Sequence, residues 1–87
     1  MTSPFFEWAW RQANLLPSHR VVLMLLAEFA QPDGRVTLVA GEIKRRIRID
    51  RNTAQRAIDY LAAQGLVEVV QAGKGRAPRI YRLRGPE

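Results

Sequence analysis

Cysteine is absent from this chain of 87 residues, and histidine occurs once, at position 19. Without cysteine there is neither a disulfide scaffold nor a thiolate metal site. A zinc site takes about four Cys, His or acid ligands, so one histidine does not make one. His19 falls in the first turn of an expected helix, and no recognisable motif sets a serine beside it. It therefore reads as a solvated surface group and not as a general base. The eight carboxylates are scattered, without the paired spacing of acid–base catalysis. No enzymatic activity, metal or cofactor is expected.

Long apolar runs are lacking too. The longest is Val21–Ala27, seven residues, against the ~20 that span a bilayer. The first residues show no basic segment ahead of their apolar ones, so no signal peptide is expected. No membrane association is expected either, and the missing thiols suit a reducing cytoplasm. Repeats, low-complexity tracts and linkers are also missing, which leaves one domain over residues 1–87. A domain this small buries only roughly 60% of its unfolded surface, and no small-molecule pocket is evident. "GKG" at 73–75 is not a phosphate loop, because Arg76 follows it and no helix does.

Acidic residues are scarce in the second half. Residues 1–43 hold three basic and four acidic side chains, whereas residues 44–87 hold eleven and four. The balances are −1 and +7, which sum to the net +6 of the chain. So one-sided a charge points to a polyanionic partner, nucleic acid before membrane surface.

The elements are short and densely punctuated. Ser3-Pro4 opens a helix over roughly 4–14 that carries Phe5, Phe6, Trp8 and Trp10, four of the seven aromatic residues. Pro17-Ser18 opens a second, about 18–30, with Val22, Leu25, Leu26 and Phe29 on one face. "QPDG" (31–34) is a turn, and "RVTLV" (35–39) a short strand. Residues 40–47 form a brief helix with Ile43 and Ile47 facing inward and Lys44, Arg45 and Arg46 solvated. In "IDRNTAQRAIDYLAAQGL" (49–66), Asp50 serves as N-cap and Gly65 as C-terminal stop. Ala54, Ala57, Ile58 and Leu61 form the buried stripe between them. Beyond Gly65 the period changes to two. "LVEVV" (66–70) and "RIYRLR" (79–84) flank the loop "QAGKGRAP" as a hairpin, basic through Lys74, Arg76, Arg79, Arg82 and Arg84.

The outward face of the first two turns of the 50–64 helix carries Arg51, Asn52, Gln55 and Arg56. These planar side chains make paired hydrogen bonds to base edges, Asn and Gln with adenine and Arg with guanine. The short helix, three-residue turn and capped helix of 40–64 form a helix-turn-helix. Its second helix presents these donors at the N-terminal end, the part that enters the major groove in such motifs. Lys44, Arg45 and Arg46 stand where a crossing backbone meets them, and the hairpin that follows is basic at its tip.

Residues 18–84 resemble a winged helix-turn-helix domain of the broad bacterial GntR/MarR class. The closer likeness is to small domains of plasmid and phage regulatory and replication proteins. The likeness rests on "DGRVTLVAGEIKRRIRIDRNTAQRAIDYLAAQGLVEVV", with its spaced T-x-x-R-A-I, L and GLV, and on "IYRL" (80–83) as the closing wing strand. It implies a mainly α fold with a small β-hairpin, ordered helix, helix, strand, short helix, recognition helix and wing. It also implies that Arg51, Asn52, Gln55 and Arg56 face the groove and that Thr53 lies near a phosphate. The wing, with Lys74, Arg76 and Arg79, then reaches phosphates or the minor groove. Two positions depart from the pattern. Arg48 stands in the turn where glycine is usual, and Val39 where a Ser-type cap usually opens the preceding helix.

Each assignment has a plainer counterpart. Arg56 and Asp59, three apart, suit an ion pair on a solvated face. Arg82 and Arg84 alternate with Tyr81 and Leu83 and suit the wet side of a strand. The aromatic helix, outside the resemblance, either closes the domain's own core or forms a homodimer interface through Phe5, Phe6, Trp8 and Trp10. Double-stranded RNA is a poor partner, because its major groove is too narrow for a helix. The expectation is a double-stranded DNA-binding transcriptional regulator. The alternatives are a replication-origin binding factor or a winged-helix protein-interaction module.

Overall fold

The computed structural model describes residues 4–38, 45, 46, 48–71, 73 and 78–85. The elements run α1 (Pro4–Trp10), α2 (Pro17–Glu28), β1 (Arg35–Leu38), α3 (Arg51–Ala63), β2 (Val67–Gln71) and β3 (Arg79–Leu83). Among the described residues, these three helices and a three-stranded antiparallel sheet of order β1-β3-β2 make a winged helix fold.

The first helix stops well short of residue 14. Its last turn tightens as Arg11 N donates to Glu7 O at 3.1 Å and Gln12 N to Ala9 O at 3.3 Å. Asn14 then takes a φ of 62°, a left-handed conformation that Asn tolerates better than most residues. Pro17 holds Leu16 extended, at ψ 154°, because its ring disfavours a helical residue before it. α2 begins at that proline and ends by Glu28; Phe29 is its C-cap. It buries Val22, Leu23, Leu25, Leu26 and Ala27, more than one stripe, as befits a helix covered on several sides.

The turn at 31–34 ties α2 to the sheet. Gly34 N donates to Gln31 O at 2.7 Å, and Leu83 N donates to Gly34 O at 2.8 Å. Gly34 has φ +88°, and a Cβ there would lie 3.0 Å from Leu83 O, so the position needs glycine on both counts. β3 is the central strand. Val36 of β1 and Val69 of β2 both lie opposite Tyr81, and the register with β2 slips between Val69 and Gln71. The hairpin expectation was therefore incomplete, since β1 completes the sheet from the other side.

α3 has the expected ends. Asp50 is its N-cap, accepting from Thr53 N at 3.3 Å. At the other end Leu66 N donates to Leu61 O and Gly65 N to Ala62 O, both at 3.0 Å. With Gly65 at φ +78° this is a Schellman stop. Ala54, Ala57, Ile58 and Leu61 are its buried residues, and all but Ala54 join the core cluster with Leu23, Leu26, Val36 and Tyr81.

α1 packs into that same core. Ala9 is fully buried, and Phe5, Phe6 and Trp8 lie half-buried against it. Trp8 covers Gly85, where any side chain would run into the indole. Trp10 alone of the four rings stays out, 62% exposed. Among the described residues, no helix is long and apolar enough to cross a membrane.

Candidate nucleic-acid interface

The outward face of α3 begins immediately after its cap. Arg51, Asn52, Thr53 and Arg56 are exposed, and Gln55 is half-buried. Hydrogen bonding from the Thr53 side chain, with backbone amides behind it, holds the Asp50 carboxyl below its ordinary pKa. Its negative charge thus sits on the positive end of the helix. The ion pair considered between Arg56 and Asp59 is not what Asp59 makes. Asp59 Oδ1 accepts instead from Gln55 Nε2 at 2.9 Å. The Gln55 Oε1 in turn accepts from Arg79 Nη1 of β3 at 2.6 Å. One donor and one acceptor site of Gln55 are thus engaged within the fold.

Ahead of α3, Arg45 and Arg46 are helical and exposed. The Arg46 guanidinium lies 5.1 Å from the Phe29 ring centre, within cation–π range. Lys44, Val39, Ile43 and Ile47 fall outside the described residues, so most of the expected 40–47 helix does too. Arg48 has φ 59°, the left-handed conformation for which glycine suits that turn. Ile49 packs on the core and anchors the start of α3.

Lys74 and Arg76 also lie outside the described residues. At the base of the wing, Gln71 Nε2 donates to Pro78 O at 2.8 Å. Burial pushes the Tyr81 hydroxyl up in pKa, and Arg79 beside it opposes the rise. On the opposite face of the sheet Arg82 lies across from Arg35, while Arg84 pairs with Glu68 at 3.2 Å. An open groove between α1, the 31–34 turn and the strand ends, about 340 Å³, is lined by Phe5, Asp33, Glu68, Arg82 and Arg84 among others.

His19 is not the solvated group expected. It is half-buried and stacks on Tyr60, ring centres 4.6 Å apart and planes 27° apart. Its Nδ1 is buried without a hydrogen-bond partner among the described residues. No group of three His, Cys, Asp or Glu that could hold a metal occurs among the described residues.

The missed feature is the Arg79–Gln55 bond, which joins residues 24 apart in sequence. A signal for it existed. Arg79 shares the strand parity of Tyr81 and Leu83, so it leaves β3 on the core side, toward α3.

A capped helix with planar donors at its N-terminal end, followed by a β-wing, is the arrangement of a winged helix-turn-helix. A family model described as the MarR family matches residues 13–77. The chain belongs to the MarR family. Members of the MarR family are DNA-binding transcriptional regulators and not enzymes. No match is found among curated proteins or solved structures.

Proposed function

We propose that this MarR-family chain reads a specific double-stranded DNA site as a bacterial, plasmid or phage transcriptional repressor. α3 enters the major groove with Arg51, Asn52 and Arg56 against base edges and Gln55 beside them. The observation that carries this is the state of the first two turns of α3. Arg51, Asn52 and Arg56 are exposed, and no side-chain hydrogen bond engages them among the described residues. Unspent donors on a rigid, capped helix are what base recognition requires. We assign phosphate contacts to Arg45, Arg46 and Thr53 and, from the sequence pattern alone, to Lys44, Lys74 and Arg76.

One domain covers few base pairs, and a two-fold dimer reads two half-sites about one helical turn apart. We assign the dimer contact to α1. Phe5, Phe6 and Trp8 are partly spent on the chain's own core, so Trp10 carries the contact, with Leu16 equally exposed at 62%.

The test is selection of bound sequences from a randomised duplex pool, followed by affinity across a salt series. A consensus should emerge. If five to eight cations meet phosphates, log K should fall with log salt at a slope of roughly −4 to −7. A slope near zero, or no consensus, refutes the proposal.

A further inference from the structure

Side chains on β3 alternate between two environments. Tyr81 and Leu83 are buried, while Arg82 is exposed on the other face. Arg79 has the parity of the buried pair, and its guanidinium reaches α3, where Nη1 donates to Gln55 Oε1 at 2.6 Å. One helical turn further on, Asp59 Oδ1 accepts from Gln55 Nε2 at 2.9 Å. The amide is therefore held between a cation on its oxygen and a carboxylate on its nitrogen. Only one orientation satisfies both partners. The flipped amide would turn N–H groups toward the guanidinium and its oxygen toward the carboxylate. Both bonds involve an ionised partner, which makes them stronger than neutral ones. An amide oxygen has two lone pairs and an amide nitrogen two N–H groups, so one acceptor and one donor remain. Adenine recognition uses one of each.

We propose that Arg79 is a positioning residue for sequence reading: it fixes the flip state of Gln55 and so sets which base Gln55 accepts. The inference rests on the DNA-reading role proposed above for α3. It moves Arg79 from phosphate contact to the support of a base reader, and it makes β3 part of the reading unit. Without Arg79 the amide keeps one anchor, gains rotamer freedom and populates both flips. A reader that presents donor and acceptor in either order still binds, but it no longer discriminates at its base pair.

The test measures affinity of the full chain for a selected duplex and its single-base variants. The proteins are wild type, Arg79→Ala, Gln55→Ala, the double substitution and Arg79→Lys. Arg79→Ala should lower the preference at one base pair by about five- to tenfold, within the range of a single paired contact. That base pair should be the one at which Gln55→Ala loses preference. The double substitution should be no worse there than Gln55→Ala alone, the signature of two residues acting as one. Arg79→Lys, which still donates to the amide oxygen, should restore most of the preference. In the free protein, the Gln55 side-chain amide should show increased mobility by ¹⁵N relaxation in Arg79→Ala, with the thermal midpoint near wild type.

Four results would overturn the inference. An equal weakening for all duplexes, with the salt slope reduced by about one, makes Arg79 a phosphate contact. The same loss of preference in the Gln55→Ala background makes Arg79 a base reader itself. A specific wild type that is indifferent to Arg79→Ala sinks this inference and leaves the proposed function standing. A wild type without any sequence preference overturns both.

Discussion

Ile58 and Arg56 are two residues apart on α3 and leave it on nearly opposite sides, so their truncation should separate stability from recognition. Ile58 is 1% exposed. Ile58→Ala removes three buried carbons, worth roughly 2.4 kcal/mol at about 0.8 kcal/mol each. A residual cavity of about 50 Å³ adds about 1.2 kcal/mol at about 24 cal/mol per Å³, for a total of about 3–4 kcal/mol. For a domain of this size that lowers the thermal midpoint by about 15–25 °C. Arg56 is exposed with no side-chain partner among the described residues, so Arg56→Ala should stay within about 0.5 kcal/mol of wild type. Its cost should appear as about 1–3 kcal/mol of lost preference for the selected site over random DNA. Thermal melts by circular dichroism give the first quantity, and competition binding at 10 °C, where both variants remain folded, gives the second. Ile58→Ala should keep the specificity ratio. An Arg56→Ala protein with the wild-type ratio, or an Ile58→Ala protein that loses specificity while still folded, refutes the division of faces.

Arg48 holds a left-handed backbone that costs a non-glycine residue about 1–2 kcal/mol. Arg48→Gly should therefore match or exceed wild-type stability, and β-branched Arg48→Val should fall below it in chemical denaturation. The Asp50 carboxyl has its pKa lowered by the cap, so its stabilisation is present above the ordinary value of 3.8 and fades as pH falls through the lower folded value. Thermal midpoints of wild type and Asp50→Asn should converge as pH drops below about 4, and a constant gap would show that the charge contributes nothing. Trp10→Ala should shift sedimentation toward monomer without a large loss of thermal stability, since the ring lies outside the core. A wild type that stays monomeric at high micromolar concentration, with DNA present, removes the dimer from the proposal.

Much of α3 was legible because its determinants are local. Asp50, the Ala54/Ala57/Ile58/Leu61 stripe and Gly65 act within the helix or one turn beyond it, so pattern and cap agree. Arg48 was legible in a subtler way. It departs from the glycine expected in that turn from the resemblance, and the backbone there adopts the conformation that glycine suits. What could not be read depends on distant partners. α1 stops at Trp10 because the chain must reverse through Asn14 and Leu16 to lay α2 against it, and an aromatic-rich run carries no such signal. β1 was recognisable as a strand, but not that β3 lies between it and β2. The commitment of Gln55 to Arg79 and the stacking of His19 on Tyr60 both join elements that only tertiary packing brings together. At the interface, the outward side chains of α3 were therefore identified more securely than their availability.

That distinction bears on how a basic half carrying four carboxylates meets a polyanion. The three among the described residues each have a task within the fold. Glu68 pairs with Arg84 at 3.2 Å, on the sheet face turned away from α3. Asp59 sits two turns into α3 and accepts from Gln55, a neutral donor, so its charge persists and disfavours phosphate beside that part of the helix. Asp50 lies at the N-terminal end, where DNA should approach, but its charge is set against first-turn amides whose dipoles oppose it. Among the described residues, Arg48, Arg51 and Arg56 leave that end of the helix positive, and the field turns less favourable toward Asp59. On the proposed reading, this gradient should orient the duplex before any base is read. Because it acts at long range, it should govern the association rate, while Asn52, Arg56 and Gln55 govern how long the selected site is held.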